Sequence, residues 1–288
     1  RKRGISYAAY INSDLTLHER EQVLGAIRDG GISIVYLSPE LLLSNDIRTF
    51  LGHRPVGLLV IDEAHLVTTW GRDFRVDYWY LGTYIDRLRR YNVLEKKFPV
   101  LALTATAVYQ GPDDMVLETI VSLSMQNPKI YLGTVRRDEI LFEVQPFSYK
   151  GSYEDEKMQH TIRRIIHNIA SGIKTIVYFP WVRQIEEALN LIDVKYKDKV
   201  GTYYGSMDGA VKEELASQFK RGEKMVMLAT KAFGMGIDIS DIQEVYHHAP
   251  SGNLCDYVQE VGRVARSPQV QGRARIDFNP RDLKYTRI

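Results

Sequence analysis

Short apolar runs alternate along the whole chain with longer amphipathic stretches, and this alternation predicts strands separated by helices. The clearest runs occupy residues 32–36, 57–61, 99–103, 175–179 and 225–229. Several are apolar without interruption, which is typical of parallel strands covered on both faces. Between the runs, residues such as Val182, Ile185 and Leu189 recur at helical spacing. The pattern therefore predicts an α/β fold with parallel sheets.

A polar stretch over residues 148–157 is the best candidate for a boundary between domains. It lacks aliphatic side chains and lies between two groups of apolar runs. We therefore expect two domains of similar length, residues 1–148 and residues 149–288.

Composition narrows the function classes only a little. The 288 residues carry a net charge of +2, from 38 basic and 36 acidic side chains, which gives no strong indication of nucleic-acid binding. Cys255 is the only cysteine, so an intrachain disulfide and a cysteine-cluster zinc site are excluded, and a reducing compartment is expected. No apolar stretch approaches the ~20 residues of a membrane span, and the first residues do not resemble a secretory signal.

Two adjacent carboxylates, Asp62 and Glu63, follow directly on the run at residues 57–61. Ligands of open α/β sheets bind at the carboxyl ends of the strands, where these acids are predicted to lie. One acid there can hold Mg²⁺ on nucleotide phosphates, and its neighbour can orient or deprotonate the attacking water. The alternative is an ordinary strand end with two solvated acids.

Further segments occur in a fixed order with this acid pair. They read YLSPE at 36–40, DEAHLVTTWGRDFRVDY at 62–78, LALTATA at 101–107, VMLATKAFGMGID at 226–238 and QEVGRVAR at 259–266. In this order they resemble motifs Ib, II, III, V and VI of the superfamily 2 helicases. The Trp-Gly-x-Asp-Phe-Arg and Ala-Phe-Gly-Met-Gly-Ile segments resemble the RecQ family specifically. The resemblance extends over almost the whole chain.

The resemblance implies two RecA-like domains with ATP in the cleft between them. It assigns Mg²⁺ to Asp62 through water, the general base to Glu63, and sensing of the γ-phosphate to His65. Arg263 and Arg266 lie three residues apart, so on a helix they would share a face and reach the γ-phosphate. Their alternative is a pair of surface arginines. Further residues implied in ATP binding or coupling are Gly236, Asp238 and Gln259.

For nucleic acid, small hydroxyl side chains at predicted strand ends can bind phosphates without reading sequence, and Ser38 and Thr230 are such residues. In RecQ proteins an aromatic-rich loop couples DNA binding to hydrolysis, and Trp70, Phe74 and Arg75 match it. Aromatic rings there would stack on bases. The alternative places both aromatics in the core.

The sequence also departs from the family pattern. It contains no G-x-x-x-x-G-K-[ST] phosphate loop, and the nearest candidate, at 172–175, is predicted to continue into a strand. In the RecQ layout this loop precedes the position of Arg1, so we expect the first RecA-like domain to be incomplete at its N-terminus. Ala265 replaces the usual glycine of motif VI, which is tolerable if that residue is helical. The segment 179–183 is unlike the common RecQ version.

The resulting hypothesis is an ATP-dependent DNA helicase or translocase of RecQ type, moving 3′ to 5′ and inactive as this chain alone without the phosphate loop. Expected partners are single-stranded or forked DNA and a protein in a larger complex, with no membrane. The expected location is intracellular, in the cytoplasm near the nucleoid or in the nucleus. The alternatives are an RNA helicase and a helicase-derived scaffold that binds nucleic acid without hydrolysis.

Overall fold

The computed structural model describes residues 6–12, 15–68, 76–91, 97–111, 114–133, 136–233, 239–267 and 270–286. The chain divides into two compact units, Arg1–Gly133 and Thr134–Ile288. Within the described residues, no helix is both long enough and apolar enough to cross a membrane.

The first unit contains two pairs of parallel strands. Strand β1 (Ala8–Ile11) pairs with β2 (Ile34–Leu37), and β3 (Leu59–Ile61) pairs with β4 (Val100–Ala102). The helices of this unit are α1 (Leu17–Arg28), α2 (Pro39–Leu43), α3 (Ile47–Leu51), α4 (Val76–Arg90) and α5 (Met115–Ser122). A 3₁₀ helix, Ala64–Val67, follows β3.

Among the described residues, the strands of the first unit carry buried side chains on one face and exposed ones on the other. Ile11 and Ile61 are buried in two apolar clusters formed with the helices. The alternate residues of these strands point to the opposite face, because side chains of a strand alternate in direction. That face carries large apolar side chains that are exposed, namely Tyr10, Ile34, Tyr36, Val60 and Leu101.

The second unit is built on a six-stranded parallel sheet in the order β5-β10-β9-β6-β8-β7. Its strands are β5 (Ile140–Pro146), β6 (Thr175–Tyr178), β7 (Val200–Tyr203), β8 (Val226–Ala229), β9 (Glu244–His247) and β10 (Gly272–Phe278). Its helices are α6 (Tyr153–Ala170), α7 (Val182–Leu191), α8 (Val194–Lys197), α9 (Gly209–Arg221) and α10 (Leu254–Val261). A second 3₁₀ helix spans Pro280–Tyr285.

The central strands β6, β8 and β9 are buried at every residue. Successive residues of β6 enter different clusters: Ile176 packs on one face of the sheet and Val177 on the other. Both faces are therefore covered, which fits the wholly apolar sequence of β8, whereas β9 also carries the buried polar residues Glu244 and His247. The predicted α/β fold with parallel sheets is confirmed.

The division between the units lies earlier than the predicted boundary at 148/149. Strand β5 pairs along its whole length with β10, from Ile140 opposite Gly272 to Pro146 opposite Phe278. Residues 140–146 therefore belong to the sheet of the second unit, and the polar stretch at 148–157 connects β5 to α6 within that unit.

Candidate active site

The two acidic residues lie where β3 ends. Asp62 is exposed, and its Oδ1 accepts a hydrogen bond of 2.9 Å from the backbone N–H of Glu63. Glu63 is half-buried and adopts a left-handed backbone conformation, with φ 50° and ψ 43°. This turn directs the chain into the 3₁₀ helix, where the N–H of Ala64 donates to the carbonyl of Leu103 at 2.8 Å. Both carboxylates thus lie at the carboxyl end of a parallel strand.

His65 connects this turn to the segment that follows β4. Its ring is buried, and Nδ1 lies 3.0 Å from Oγ1 of Thr104 and 3.5 Å from Oε2 of Glu63. Burial lowers the pKa of His65, and the negative charge of Asp62 acts in the opposite direction. The segments at 62–65 and 101–107 are therefore joined by a side-chain hydrogen bond beside the candidate base.

The chemistry of Asp62 fits a magnesium ion of the kind that is bound together with phosphates. Mg²⁺ is usually held by one or two carboxylates, water and substrate phosphates rather than by a cage of protein ligands. No cluster of three potential metal ligands occurs among the described residues. Asp62, as an exposed carboxylate at a strand end, can serve as a protein contact of such an ion.

The geometry of the two arginines differs from the expected one. Helix α10 carries Gln259, which is half-buried, but ends at Val261. Arg263 and Arg266 therefore lie beyond the helix rather than on one of its faces. Arg263 is half-buried and Arg266 is exposed, and Nε of Arg266 donates to the carbonyl of Gly262 at 3.3 Å.

Ala265 is not helical, so the condition under which alanine would be tolerated there is not met. Its φ of 50° lies in the left-handed region, which favours glycine. Its N–H donates to the carbonyl of Ile242 at 3.0 Å. On the other side, Nη2 of Arg137 donates to the carbonyls of Val264 at 3.0 Å and of Ala265 at 2.9 Å. These bonds hold the backbone between the two arginines in an irregular conformation.

The buried carboxylate of Glu260 attaches the end of α10 to the sheet. Oε2 of Glu260 lies 2.9 Å from Nε2 of His247, and it accepts a hydrogen bond of 2.5 Å from Oγ of Ser251. The ring of His247 stacks on Tyr178, with 5.5 Å between the ring centroids. The helix that precedes Arg263 is thereby attached to strands β6 and β9.

Sequence reasoning missed the residues that support the candidate site. Thr104 and Glu260 lie inside the quoted motifs, so the motifs could have indicated them. Arg137 and His247 gave no signal, because their contacts join residues that are distant in the sequence.

The candidate nucleic-acid residues occupy different surroundings. Ser38 is exposed at the start of α2, where its Oγ accepts from the N–H of Leu41 at 3.3 Å. Thr230 follows β8, is half-buried, and donates its N–H to the carbonyl of Tyr203 at 3.2 Å. Five further predicted site residues lie outside the described residues, namely Trp70, Phe74, Arg75, Gly236 and Asp238.

The loop-like segment at 172–175 does not have the geometry of a phosphate loop. Gly172 lies just beyond the end of α6, and Thr175 is the first residue of β6. Nζ of Lys174 is directed to Oδ2 of Asp241 at 2.8 Å and to the carbonyl of Lys220 at 3.1 Å. The buried lysine is therefore engaged in an ion pair with an aspartate whose side chain is exposed.

Two family models match the chain: "DEAD/DEAH box helicase" at residues 1–115 and "Helicase conserved C-terminal domain" at residues 156–268. The chain is 33% identical over 267 residues to the probable ATP-dependent DNA helicase RecS of Bacillus subtilis, covering 92% of this chain and 49% of that protein. It is 29% identical over 281 residues to the ATP-dependent DNA helicase RecQ of Haemophilus influenzae, covering 96% of this chain and 41% of that one. It thus spans less than half the length of these relatives.

Among solved structures, the chain is similar in fold to the Mycobacterium smegmatis helicase Lhr bound to single-stranded DNA and an ATP analogue. The TM-score is 0.73 at 16% identity, and the match covers 98% of this chain and 36% of that one. At this identity the likeness supports the fold.

Proposed function

Because the chain belongs to the RecQ-like branch of the superfamily 2 helicases, we propose that it forms the motor of an ATP-dependent DNA helicase that moves 3′ to 5′ along single-stranded DNA. The observation that carries the proposal is the acid pair at the end of β3, with His65 hydrogen-bonded from the same turn to Thr104. This arrangement supplies a metal-binding carboxylate, a candidate base and a connection between the segments that follow two neighbouring strands.

At the acid pair, Asp62 would hold Mg²⁺ through water, and Glu63 would accept the proton of the water that attacks the γ-phosphate. The ion, when bound, neutralises charge on the phosphates. Glu63 has a left-handed backbone conformation directly after β3, and its Oε2 lies 3.5 Å from Nδ1 of His65. His65 passes a change at Glu63 to Thr104, because its Nδ1 lies near both side chains.

Arg263 and Arg266 stabilise the negative charge that develops on the transferred phosphoryl group. Such arginines contribute on the order of 10³–10⁵ in rate. Since the two residues follow α10, the bonds of Glu260 and Arg137 position them. Gln259, Gly236 and Asp238 complete the proposed nucleotide-binding and coupling residues.

Nucleic acid contacts Ser38 and Thr230 through its phosphates, and bases stack on Trp70 and Phe74 beside Arg75. Single-stranded or forked DNA is the proposed substrate, and the protein acts inside the cell, with a protein partner in a larger complex. The relatives that carry the name of a DNA helicase support DNA over RNA.

Hydrolysis needs a phosphate-binding loop that these 288 residues do not contain. Because the relatives are more than twice as long as the matched region, we propose that the complete protein supplies this loop. On this proposal the chain alone binds nucleic acid but does not turn over ATP.

The test is ATP hydrolysis by the full-length protein and its Glu63→Gln variant, each with single-stranded DNA, with RNA and without nucleic acid. We expect hydrolysis stimulated by DNA, its loss in the variant, and nearly unchanged nucleotide binding, because the amide cannot accept the proton. Glu213→Gln, at an exposed position of α9, is the matched control.

Three outcomes would contradict parts of the proposal. Hydrolysis in Glu63→Gln above a few per cent of wild type would remove the base assignment. Stronger stimulation by RNA than by DNA would favour the RNA helicase. No hydrolysis by the full-length protein under any condition would favour a binding scaffold.

A further inference from the structure

We propose that the second unit carries an additional contact surface for single-stranded DNA, formed by a row of aromatic rings and cations. The inference rests on the proposed function, and it adds a contact that the motif residues do not provide. The row, here called the aromatic ribbon, consists of Arg281, Tyr149, Tyr153, Lys284, Tyr285, Trp181 and Arg183.

The aromatic ribbon is assembled from the segments that follow three parallel strands. Tyr149 follows β5, Trp181 follows β6, and Arg281 to Tyr285 follow β10. The carboxyl ends of parallel strands meet at one edge of a sheet, which is where ligands of open α/β sheets bind. Thr230, a proposed phosphate contact, follows β8 at the same edge. The aromatic ribbon is therefore placed where a strand that contacts Thr230 can continue.

Trp181 forms one end of the row. The guanidinium carbon of Arg183 lies 4.3 Å from the centroid of the Trp181 ring. The ring of Tyr285 meets Trp181 edge-on, with 4.9 Å between centroids and 71° between the planes. Nε2 of Gln184 donates to the hydroxyl of Tyr285 at 3.3 Å, which orients that ring.

The other end continues without a break. Lys284 Nζ lies 5.0 Å from the ring centroid of Tyr285 and 5.5 Å from that of Tyr153. Tyr153 meets Tyr149 edge-on at 5.3 Å, and the guanidinium of Arg281 lies 5.1 Å from the Tyr149 ring. Two rings thus lie between successive cations, and Tyr153, which is 2% exposed, supports the neighbouring rings from below the surface.

The aromatic ribbon offers an exposed ring on which a base can stack and exposed guanidinium groups that can bind phosphate. Trp181 is 42% exposed, and Tyr149 and Tyr285 are half-buried. Arg183 and Arg281 are exposed, and no carboxylate of the described residues lies within salt-bridge distance of either guanidinium. Lys284 differs, because Oε1 of Glu154 lies 3.0 Å from its Nζ.

The surface has a boundary on one side. The groove between α6 and α7 is lined by Arg183 at its edge and by Asp155, Glu186 and Glu187. These carboxylates repel a phosphate backbone, so the DNA contact is limited to the aromatic ribbon.

Buried bonds hold the last segment of the aromatic ribbon in place before any ligand binds. Oδ2 of Asp282 lies 3.0 Å from Nζ of Lys157, and Oδ1 accepts a hydrogen bond from the hydroxyl of Tyr153. Lys157 and Asp282 are each only 1% exposed at their side chains. Because the segment is fixed, stacking a base on Trp181 requires little ordering of the protein.

These properties match single-stranded DNA. Bases stack on aromatic rings whatever their identity, and arginines pair with the phosphates between them. The segment 179–183 is where the sequence departs from the common RecQ version, so Trp181 and Arg183 provide a contact that the motif comparison does not assign.

The test measures binding of a fluorescent thymidine oligonucleotide to this chain by anisotropy at several salt concentrations. Trp181→Ala should weaken binding by ~10-fold, the effect of losing one stacked base, without changing the salt dependence. Arg183→Ala should weaken binding and reduce the salt slope by about one, since one phosphate contact is lost. Trp79→Ala is the matched control, because Trp79 is 39% exposed in the first unit.

Photocrosslinking with 5-iodouracil in the oligonucleotide gives a second readout, and the adduct is expected on the peptide that contains Trp181. Thermal unfolding establishes that each variant is folded. If Trp181→Ala does not fold, Arg183→Glu decides the result, because it changes only an exposed side chain.

Each outcome has a separate meaning. Binding by Trp181→Ala and Arg183→Glu equal to that of Trp79→Ala would overturn the inference and assign the aromatic ribbon to packing of the last segment, while the proposed function would stand. Absence of DNA binding by the unmodified chain at low salt would overturn both the inference and the DNA part of the proposed function.

Discussion

The central strands of the second unit are covered on both faces, whereas those of the first unit are covered on one. In β6, Ile176 and Val177 are both fully buried although they point in opposite directions. In β3, Ile61 is buried but its neighbour Val60 is 48% exposed. The same apolar composition therefore corresponds to two different packing environments.

The two groups of candidate catalytic residues therefore lie in different packing environments. Asp62 and Glu63 follow a strand with one exposed apolar face, while Arg263 follows a helix attached by buried hydrogen bonds to a six-stranded sheet. We expect the second unit to be the more stable one, because burial of apolar surface is the main stabilising contribution. Three measurements test this comparison.

The largest expected effect is a loss of folding stability at low pH, caused by a buried histidine of the second unit. Nδ1 of His248 lies 2.8 Å from Oγ1 of Thr161, and burial lowers the pKa of His248 from 6.5 to about 3, with the charges of Lys157 and Lys284 adding to the shift. The unfolded chain binds this proton below pH 6.5 and the folded one does not, so stability falls as the pH falls.

The loss amounts to about 1.4 kcal/mol per pH unit below 6.5, or roughly 3 kcal/mol at pH 4. Urea unfolding at pH 7 and pH 4 measures this decrease in the free energy of unfolding. The decrease should be smaller by that amount in His248→Asn than in the unmodified chain. His65→Asn in the first unit should change the pH dependence less, because Asp62 opposes the effect of burial there. Identical pH dependence of His248→Asn and the unmodified chain would contradict the assignment.

A pair of matched valine substitutions tests the packing difference directly. Val177→Ala in β6 removes two methyl groups from a fully buried position, and we expect it to cost about 2 kcal/mol of unfolding free energy. Val60→Ala in β3 removes the same groups from a half-exposed position and should cost less than about 0.5 kcal/mol. Equal costs in denaturant unfolding would show that the exposed face of the first unit is covered in solution.

The clearest apolar runs matched β2, β3 and β4 of the first unit but only β6 and β8 of the six strands of the second, and they did not predict which faces are covered. A run such as Val60-Ile61 contains the same residue types as Ile176-Val177, and only tertiary packing decides which side chains are buried. The fold class could therefore be derived from the sequence, whereas the difference between the units could not.

The domain boundary was predicted too late in the chain because β5 and β10 carry charged side chains. Such side chains are more typical of loops than of buried strands. Glu143 of β5 faces two arginines of β10, with Oε1 3.3 Å from Nε of Arg273 and Oε2 3.4 Å from Nη1 of Arg275. Charged side chains are compatible with a strand when a partner on the next strand compensates them. A search for apolar runs does not detect such pairs.

The sequence motifs identified the candidate site residues, but they did not predict how these residues are arranged and which contacts they make. Asp62 and Glu63 lie at a strand end because the preceding run is a strand. The contact between His65 and Thr104 joins residues 39 positions apart, so nothing in the local pattern indicates it. The spacing of Arg263 and Arg266 suggested one helical face, but the helix ends before both of them.

The smallest expected effect concerns the backbone between these two arginines. At Ala265 the left-handed conformation costs alanine about 1–2 kcal/mol, and Ala265→Gly removes this cost. The same substitution removes a methyl group from a position that is only 3% exposed, which costs about 0.8 kcal/mol. The two contributions nearly cancel, so thermal unfolding should place Ala265→Gly within about 1 kcal/mol of the unmodified chain.

Ala265→Val is the informative partner, because a β-branched side chain fits neither the left-handed conformation nor the available space. We expect it to destabilise the second unit by more than about 2 kcal/mol, since the N–H and carbonyl of residue 265 are held by Ile242 and Arg137 and cannot move to a relaxed conformation without losing both bonds. If valine were tolerated as well as glycine, this segment would not be fixed by its backbone, and its hydrogen bonds could not position Arg263 and Arg266.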